Sequence, residues 1–138
     1  MKRKNKILII EDEEILRFTF KSFLSKEGHE VITAIDYSSA LKLISESEPD
    51  LIIADIILGG NTGIDLLRKV KEIGICCPVI LITGQPSIET AAESVRLGAY
   101  DYLPKPVEKH DLIKITTRAL QYHSIMEAKD QMEAEKEK

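Results

Sequence analysis

Short apolar runs in this chain end in side chains that could act together. Lys6-Ile7-Leu8-Ile9-Ile10 is followed by Glu11 and Asp12, Leu51-Ile52-Ile53-Ala54 by Asp55, Val79-Ile80-Leu81-Ile82 by Thr83, and Tyr102-Leu103-Pro104 by Lys105. In a parallel sheet every strand's carboxyl end lies at one edge, where ligands bind at the reversal of strand order. Three carboxylates gathered there repel one another unless a hard cation lies among them, and an all-oxygen donor set suits Mg²⁺. A lysine and a hydroxyl at the same edge turn metal binding into the handling of a phosphoryl group, whose equatorial oxygens they would neutralise and hydrogen-bond. Asp55 is then the nucleophile, and the product is an aspartyl phosphate.

The elements that must position these groups can be read from periodicity. Residues 6–10 form a buried strand, after which Ile15, Phe18, Ser22 and Phe23 recur at helical spacing up to Gly28-His29. Residues 31–34 make a second strand, and Ala40, Leu41 and Ile44 a helix reaching Glu48-Pro49. The central strand 51–55 gives way to a glycine turn, then to a capping box from Thr62 to Asp65 that opens a helix with Leu66, Leu67, Val70 and Ile73 inward. Strand 78–82 leads through Thr83-Gly84-Gln85-Pro86 to a helix marked by Ile88, Ala91, Ala92 and Val95 and stopped at Gly98. A fifth strand, 100–103, meets Pro104-Lys105-Pro106. The last helix begins near Glu108 and carries Leu112, Ile115, Ala119 and Tyr122, with the spacing continuing through Met126. Five strands alternating with five helices predict an α/β, doubly wound parallel sheet with helices on both faces.

At 138 residues the chain suits one domain, here 1–123, followed by a charged helical tail or linker over 124–138. The tail is either a solvated terminus or a connector to a partner or output domain. With 19 basic and 23 acidic residues, net charge −4 and a pI near 5.4, the chain has no strong attraction to nucleic acid or to an anionic membrane. No apolar run has membrane-spanning length, and the basic start Lys2-Arg3-Lys4 leads into a strand, which predicts a solvated arm and a cytoplasmic protein. Cys76 and Cys77 are adjacent and read as small apolar residues before a strand. His29, His110 and His123 lie at a turn, a helix start and a late helix, and suggest no metal triad among themselves.

The sequence resembles the response-regulator receiver domains of two-component signalling over about residues 5–123. The resemblance is carried in order by Glu11-Asp12, Asp55, Gly63, Thr83 with Gly84, Gly98-Ala99 and Tyr102-Leu103-Pro104-Lys105-Pro106. It implies a flavodoxin-like sheet of order 2-1-3-4-5, phosphorylation of Asp55 by a sensor histidine kinase or a phosphotransfer protein, and Mg²⁺ held by Glu11, Asp12, Asp55 and the backbone carbonyl of Ile57. It also implies Thr83 and Tyr102 as a switch pair, Lys105 as phosphate ligand, and a cis Lys105-Pro106 bond. Where such domains usually carry Met-Pro after the acceptor, this chain has Leu58-Gly59, which predicts a looser turn. The segment 98–106 looks like that of receivers joined to transcriptional activators of the nitrogen-regulation type.

The implied behaviour is a switch. The face built from the fourth helix, fifth strand and fifth helix, with Ala92, Val95, Tyr100, Tyr102 and Ile115, would bind a partner or a second copy of the chain as a homodimer. Two other classes compete. A Mg²⁺-dependent phosphatase working through an aspartyl phosphate needs an acid/base to activate water, and where the haloacid-dehalogenase-like pattern places a second Asp two residues after the nucleophile, this chain has Ile57. The expected activity is therefore at most slow autophosphatase. A pseudo-receiver, keeping the fold as an interaction module, would have no use for the intact acceptor, acidic pair, Thr83 and Lys105.

Overall fold

The computed structural model describes residues 4–136; Lys2 and Arg3 of the basic start and Glu137-Lys138 of the tail lie outside the described residues. Strand and helix alternate throughout: β1 (Lys6–Ile10), α1 (Glu14–Lys26), β2 (Glu30–Ala34), α2 (Tyr37–Ser47), β3 (Leu51–Asp55), α3 (Gly63–Glu72), β4 (Val79–Thr83), α4 (Ile88–Arg96), β5 (Asp101–Pro104) and α5 (Lys109–Lys136). The strands pair in parallel, as the alternation predicts, in the order β2-β1-β3-β4-β5 that the resemblance implies. The winding reverses between β1 and β3, so the ends of these two strands form the crevice.

Alternation along each strand splits the core in two. Ile7, Ile9, Ile53, Ile80 and Ile82 point to one face, where Phe20 and Leu24 of α1 and Leu112 and Ala119 of α5 cover them. Leu8, Ile10, Ile52, Ala54 and Leu81 point to the other, against Ala40 and Ile44 of α2 and Leu66, Leu67 and Val70 of α3. Each large side chain buried in this way contributes on the order of 1.5–3 kcal/mol. The inner strands β1, β3 and β4 are therefore apolar on both sides, and a polar residue appears in them only at a strand end.

Several helix faces differ from the expected ones. Ile15 and Phe18 are 77% and 72% exposed, and α1 buries Phe20 and Leu24 instead. Apolar residues stand on two sides of α1, so helical spacing fits either phase, and only the sheet decides which is covered. Ile73 is exposed because α3 ends at Glu72 and Ile73 is its cap. In α4 the exposed residues include Ile88, Ala92 and Val95, and the buried one is Ser94. In α5, Thr116 and Leu120 are buried while Tyr122 is exposed. Strands β4 and β5 each lie one residue later than predicted, because the backbone ladder continues through Thr83 and Pro104. Helix α5 runs unbroken for 28 residues, across position 123 and into the charged segment. Among the described residues, no helix is long and apolar enough to cross a membrane.

Candidate functional site

The site grows from two strand ends. Glu11 follows β1 directly, with its backbone N–H donating to the Ala34 carbonyl (3.1 Å), and Asp55 ends β3. Both side chains are almost wholly enclosed, at 3% and 7% exposure. Lys105 arrives from the far edge, where its N–H donates to the Thr83 carbonyl (2.8 Å) and the Lys105-Pro106 bond is cis. Its Nζ lies 2.7 Å from Glu11 Oε1 and 2.5 Å from Asp55 Oδ2. One ammonium thus bridges two buried carboxylates drawn from strands on either side of the switch point.

Electrostatics follow from this burial. Desolvation pushes the Glu11 carboxyl up to about 7; the Asp55 charge adds to the rise, and the hydrogen bond and charge of Lys105 oppose it. Burial works against a charged Lys105, but its hydrogen bonds and ion pairs with Asp55 and Glu11 together hold it above the ordinary lysine value. Asp55 Oδ1 also accepts from the Ile57 N–H (2.9 Å), which fixes the carboxylate plane.

Asp12 completes the acidic set at the exposed rim. One oxygen from each of Glu11, Asp12 and Asp55 lies within 4.8 Å of the others. A cluster of hard oxygen donors, two of them shielded from water, fits Mg²⁺ by its chemistry. Arg17, one turn into α1, donates from Nη1 to the carbonyls of Glu11 (2.9 Å) and Asp12 (3.3 Å) and so fastens the acidic loop. The sequence reading did not single out Arg17. Its signal, a cation a few residues beyond an acidic pair, is indistinguishable from an ordinary helix-surface arginine.

Gly63 opens α3 beneath β3, and its N–H donates to the Ile56 carbonyl (2.8 Å). The predicted capping box is present: Thr62 Oγ1 accepts from the Asp65 N–H (3.1 Å), and Asp65 Oδ2 from the Thr62 N–H (3.0 Å). The turn that the Leu58-Gly59 departure makes glycine-rich is tied down at both ends. Leu58 is buried, Gly59 bridges to Asp36, and Ile57 bridges to Thr62. Gly60, at φ +88°, takes the left-handed position that this path demands.

Thr83 and Tyr102 converge on the connection from β4 to α4. Thr83 is buried, and its Oγ1 accepts from the Gln85 N–H (3.0 Å). The Tyr102 hydroxyl accepts from the Ser87 N–H (3.0 Å) and shares a 2.7 Å hydrogen bond with Thr90 Oγ1. Ser87 caps α4 by accepting from the Thr90 N–H (3.1 Å), so Tyr102 holds the same helix end that Ser87 closes. Ser87 and Thr90 escaped the sequence reading, although a serine three residues before a threonine at a helix start is a capping signal. Of the expected face, Ala92 and Val95 are exposed, whereas Tyr100 packs with the α1–α5 side of the core, its ring tilted at 49° against that of Tyr122 (centroids 5.5 Å apart).

A family model for the response regulator receiver domain matches residues 7–117. The chain belongs to the response-regulator receiver family. As a receiver it is a phosphoacceptor switch module, and neither a phosphatase nor a pseudo-receiver is favoured by this membership. It is 36% identical over 121 residues to the regulatory protein AtoC of Escherichia coli K12, covering 88% of this chain and 26% of that protein. It is 32% identical to the DNA-binding transcriptional regulator NtrC of Azospirillum brasilense, covering 83% of this chain and 24% of that protein. The chain thus spans about a quarter of the length of these relatives. Among solved structures, the receiver domain of NtrX from Brucella abortus is 41% identical with a TM-score of 0.77, covering 83% of this chain and 98% of that one. A CheY-like receiver from Methanospirillum hungatei superposes with a TM-score of 0.86 at 29% identity, covering 90% and 99% of the two chains.

Proposed function

We infer that Asp55 accepts a phosphoryl group from the phosphohistidine of a sensor kinase or phosphotransfer protein. An Asp55 carboxylate oxygen forms the bond to phosphorus as the phosphorus–nitrogen bond breaks, and the electron pair returns to the donor's imidazole. The observation that carries this reading is the Lys105 ammonium, already in contact with both Asp55 and Glu11. It is placed to neutralise a phosphoryl oxygen on Asp55 without rebuilding the site. Glu11, Asp12, Asp55 and the carbonyl of Ile57 would hold Mg²⁺, which supplies charge neutralisation for the transferring group.

Docking of the donor is supported by Ile15 and Phe18, large apolar side chains left in solvent on α1, the helix that follows Asp12. Thr83 acts as the reporter: its hydroxyl, whose oxygen accepts from the Gln85 N–H, would donate its own proton to a phosphoryl oxygen. Tyr102 follows, because its hydroxyl is fastened to the same β4–α4 connection. The α4-β5-α5 face then changes its affinity for an output domain, a target or a second copy of the chain. A relative named a DNA-binding transcriptional regulator supports an output in gene control. This acidic chain would act there without touching DNA itself, in the cytoplasm.

Intact mass after incubation with acetyl phosphate and Mg²⁺ tests the reading. One phosphoryl adduct, absent in Asp55→Asn and absent with chelator, is the expected result; an adduct that persists in Asp55→Asn overturns the assignment.

A further inference from the structure

At the opposite edge of the sheet, three metal-ligating side chains from separate parts of the chain meet. Asp50 stands just before β3 and is buried; His123 and Glu127 are one turn apart on α5. His123 Nε2 lies 3.2 Å from Glu127 Oε1 and 3.7 Å from Asp50 Oδ1. Tetrahedral bonds of about 2.0–2.2 Å to nitrogen and oxygen place neighbouring ligand atoms roughly 3.3–3.6 Å apart, so the observed spacing brackets that of a closed coordination edge. The Asp50 carboxylate is already oriented, since its Oδ2 accepts from the Lys6 N–H (2.8 Å), the kind of outer contact that fixes a metal ligand.

The surroundings suit an ion with an open position. Two clefts, of about 850 and 400 Å³, share Asp50, His123 and Glu127 in their walls. His29 lines the larger cleft, and burial keeps its imidazole below the ordinary histidine value. Cys77 lines the smaller one, but burial pushes its thiol up to about 12, where it is a poor ligand.

We propose that Asp50, His123 and Glu127 form a second cation site, selective for a first-row divalent ion of the Zn²⁺ class. An imidazole between two carboxylates favours such an ion over Mg²⁺, which the all-oxygen cluster around Asp55 suits. The two sites lie at opposite ends of β3. His123 and Glu127 stand on α5 beyond residue 117, where the match to the family model ends. An ion there would fasten α5 to the start of β3 one turn further along than the apolar core does.

Calorimetric titration of the chelator-stripped 138-residue chain with Zn²⁺, in excess Mg²⁺, tests this. One equivalent is expected to bind, at least tenfold more weakly in His123→Gln and in Glu127→Gln, and unchanged in Asp55→Asn and Cys76→Ser. Co²⁺ in place of Zn²⁺ is expected to give d–d absorption without a thiolate charge-transfer band. Equal affinity in wild type and both α5 variants overturns the site, as does loss of binding in Cys76→Ser or Asp55→Asn alone. Glu127 is exposed, so Glu127→Gln decides the matter if His123→Gln fails to fold.

Discussion

Gly63 stands so close to Asp55 that a β-carbon at position 63 would collide with the Asp55 carbonyl oxygen and lie 3.0 Å from Ile56 Cα. Helix α3 therefore packs directly on the backbone of the acceptor strand. Gly63→Ala must push the two apart, at a cost of about 1–3 kcal/mol, with slower labelling of Asp55 by acetyl phosphate. Gly84→Ala is the control, since its β-carbon meets only Lys105 Cδ at 3.8 Å. Denaturant titration of both variants checks this; equal stability of Gly63→Ala and wild type would refute the close approach.

Lys105 contacts the same two buried carboxylates that would hold Mg²⁺. Without metal, Lys105→Ala should lose about 2 kcal/mol, less than the ~3–5 kcal/mol of a fully broken buried pair because Glu11 can take up a proton. Adding Mg²⁺ should then raise the melting temperature more in Lys105→Ala than in wild type. Equal gains would show that lysine and metal do not compete.

Acid should loosen α3 through its cap. The Asp65 carboxyl is held below its ordinary value of 3.8, chiefly by the backbone N–H of Thr62. A depressed folded value means the contribution is present above about pH 3.8 and is lost as pH falls through the lower folded value. Asp65→Asn should thus be less stable at neutral pH, yet lose less on acidification below pH 3.8. Parallel stability curves for the two proteins would remove the cap from the account.

Tyr102→Phe removes the acceptor of the Ser87 N–H and the partner of Thr90 Oγ1. About 1 kcal/mol of stability should go with them. Hydrogen exchange should quicken at Ser87 and along the first turn of α4, while the β3 amides stay protected. Unchanged exchange there would sever Tyr102 from the helix end.

Ile57, half-exposed two residues after Asp55, offers water neither an acceptor nor a donor through its side chain. The aspartyl phosphate should be long-lived, and Ile57→Asn should shorten its life by up to about tenfold, short of the ~10²–10⁴ expected of a placed acid/base. A lifetime of seconds in wild type, unmoved by the substitution, would contradict this.

Asp55, Glu11, Thr83 and Lys105 were legible because a polar residue closing an apolar strand has one place to go, and the parallel sheet sends all such ends to one edge. The capping box at Thr62 was legible for the same local reason. The phase of α1 was not, because Ile15 and Phe18 satisfy the helical period as well as Phe20 and Leu24 do. Arg17, and the meeting of Tyr102 with Ser87 and Thr90, depend on contacts that no spacing encodes. His123 showed no partner at a distance of 73 residues, until β3 and α5 brought Asp50 to it.

The unbroken course of α5 also has a mechanical side. Beyond Glu127, which meets His123 beside Asp50, the helix continues for about 14 Å at 1.5 Å per residue. A tilt of about 10° at that point sweeps the tip through roughly 2 Å, a little under half of one helical turn. A stiff rod of this kind acts as a pointer: sub-ångström repacking under Leu112 and Thr116 becomes a displacement large enough for a neighbouring surface to read.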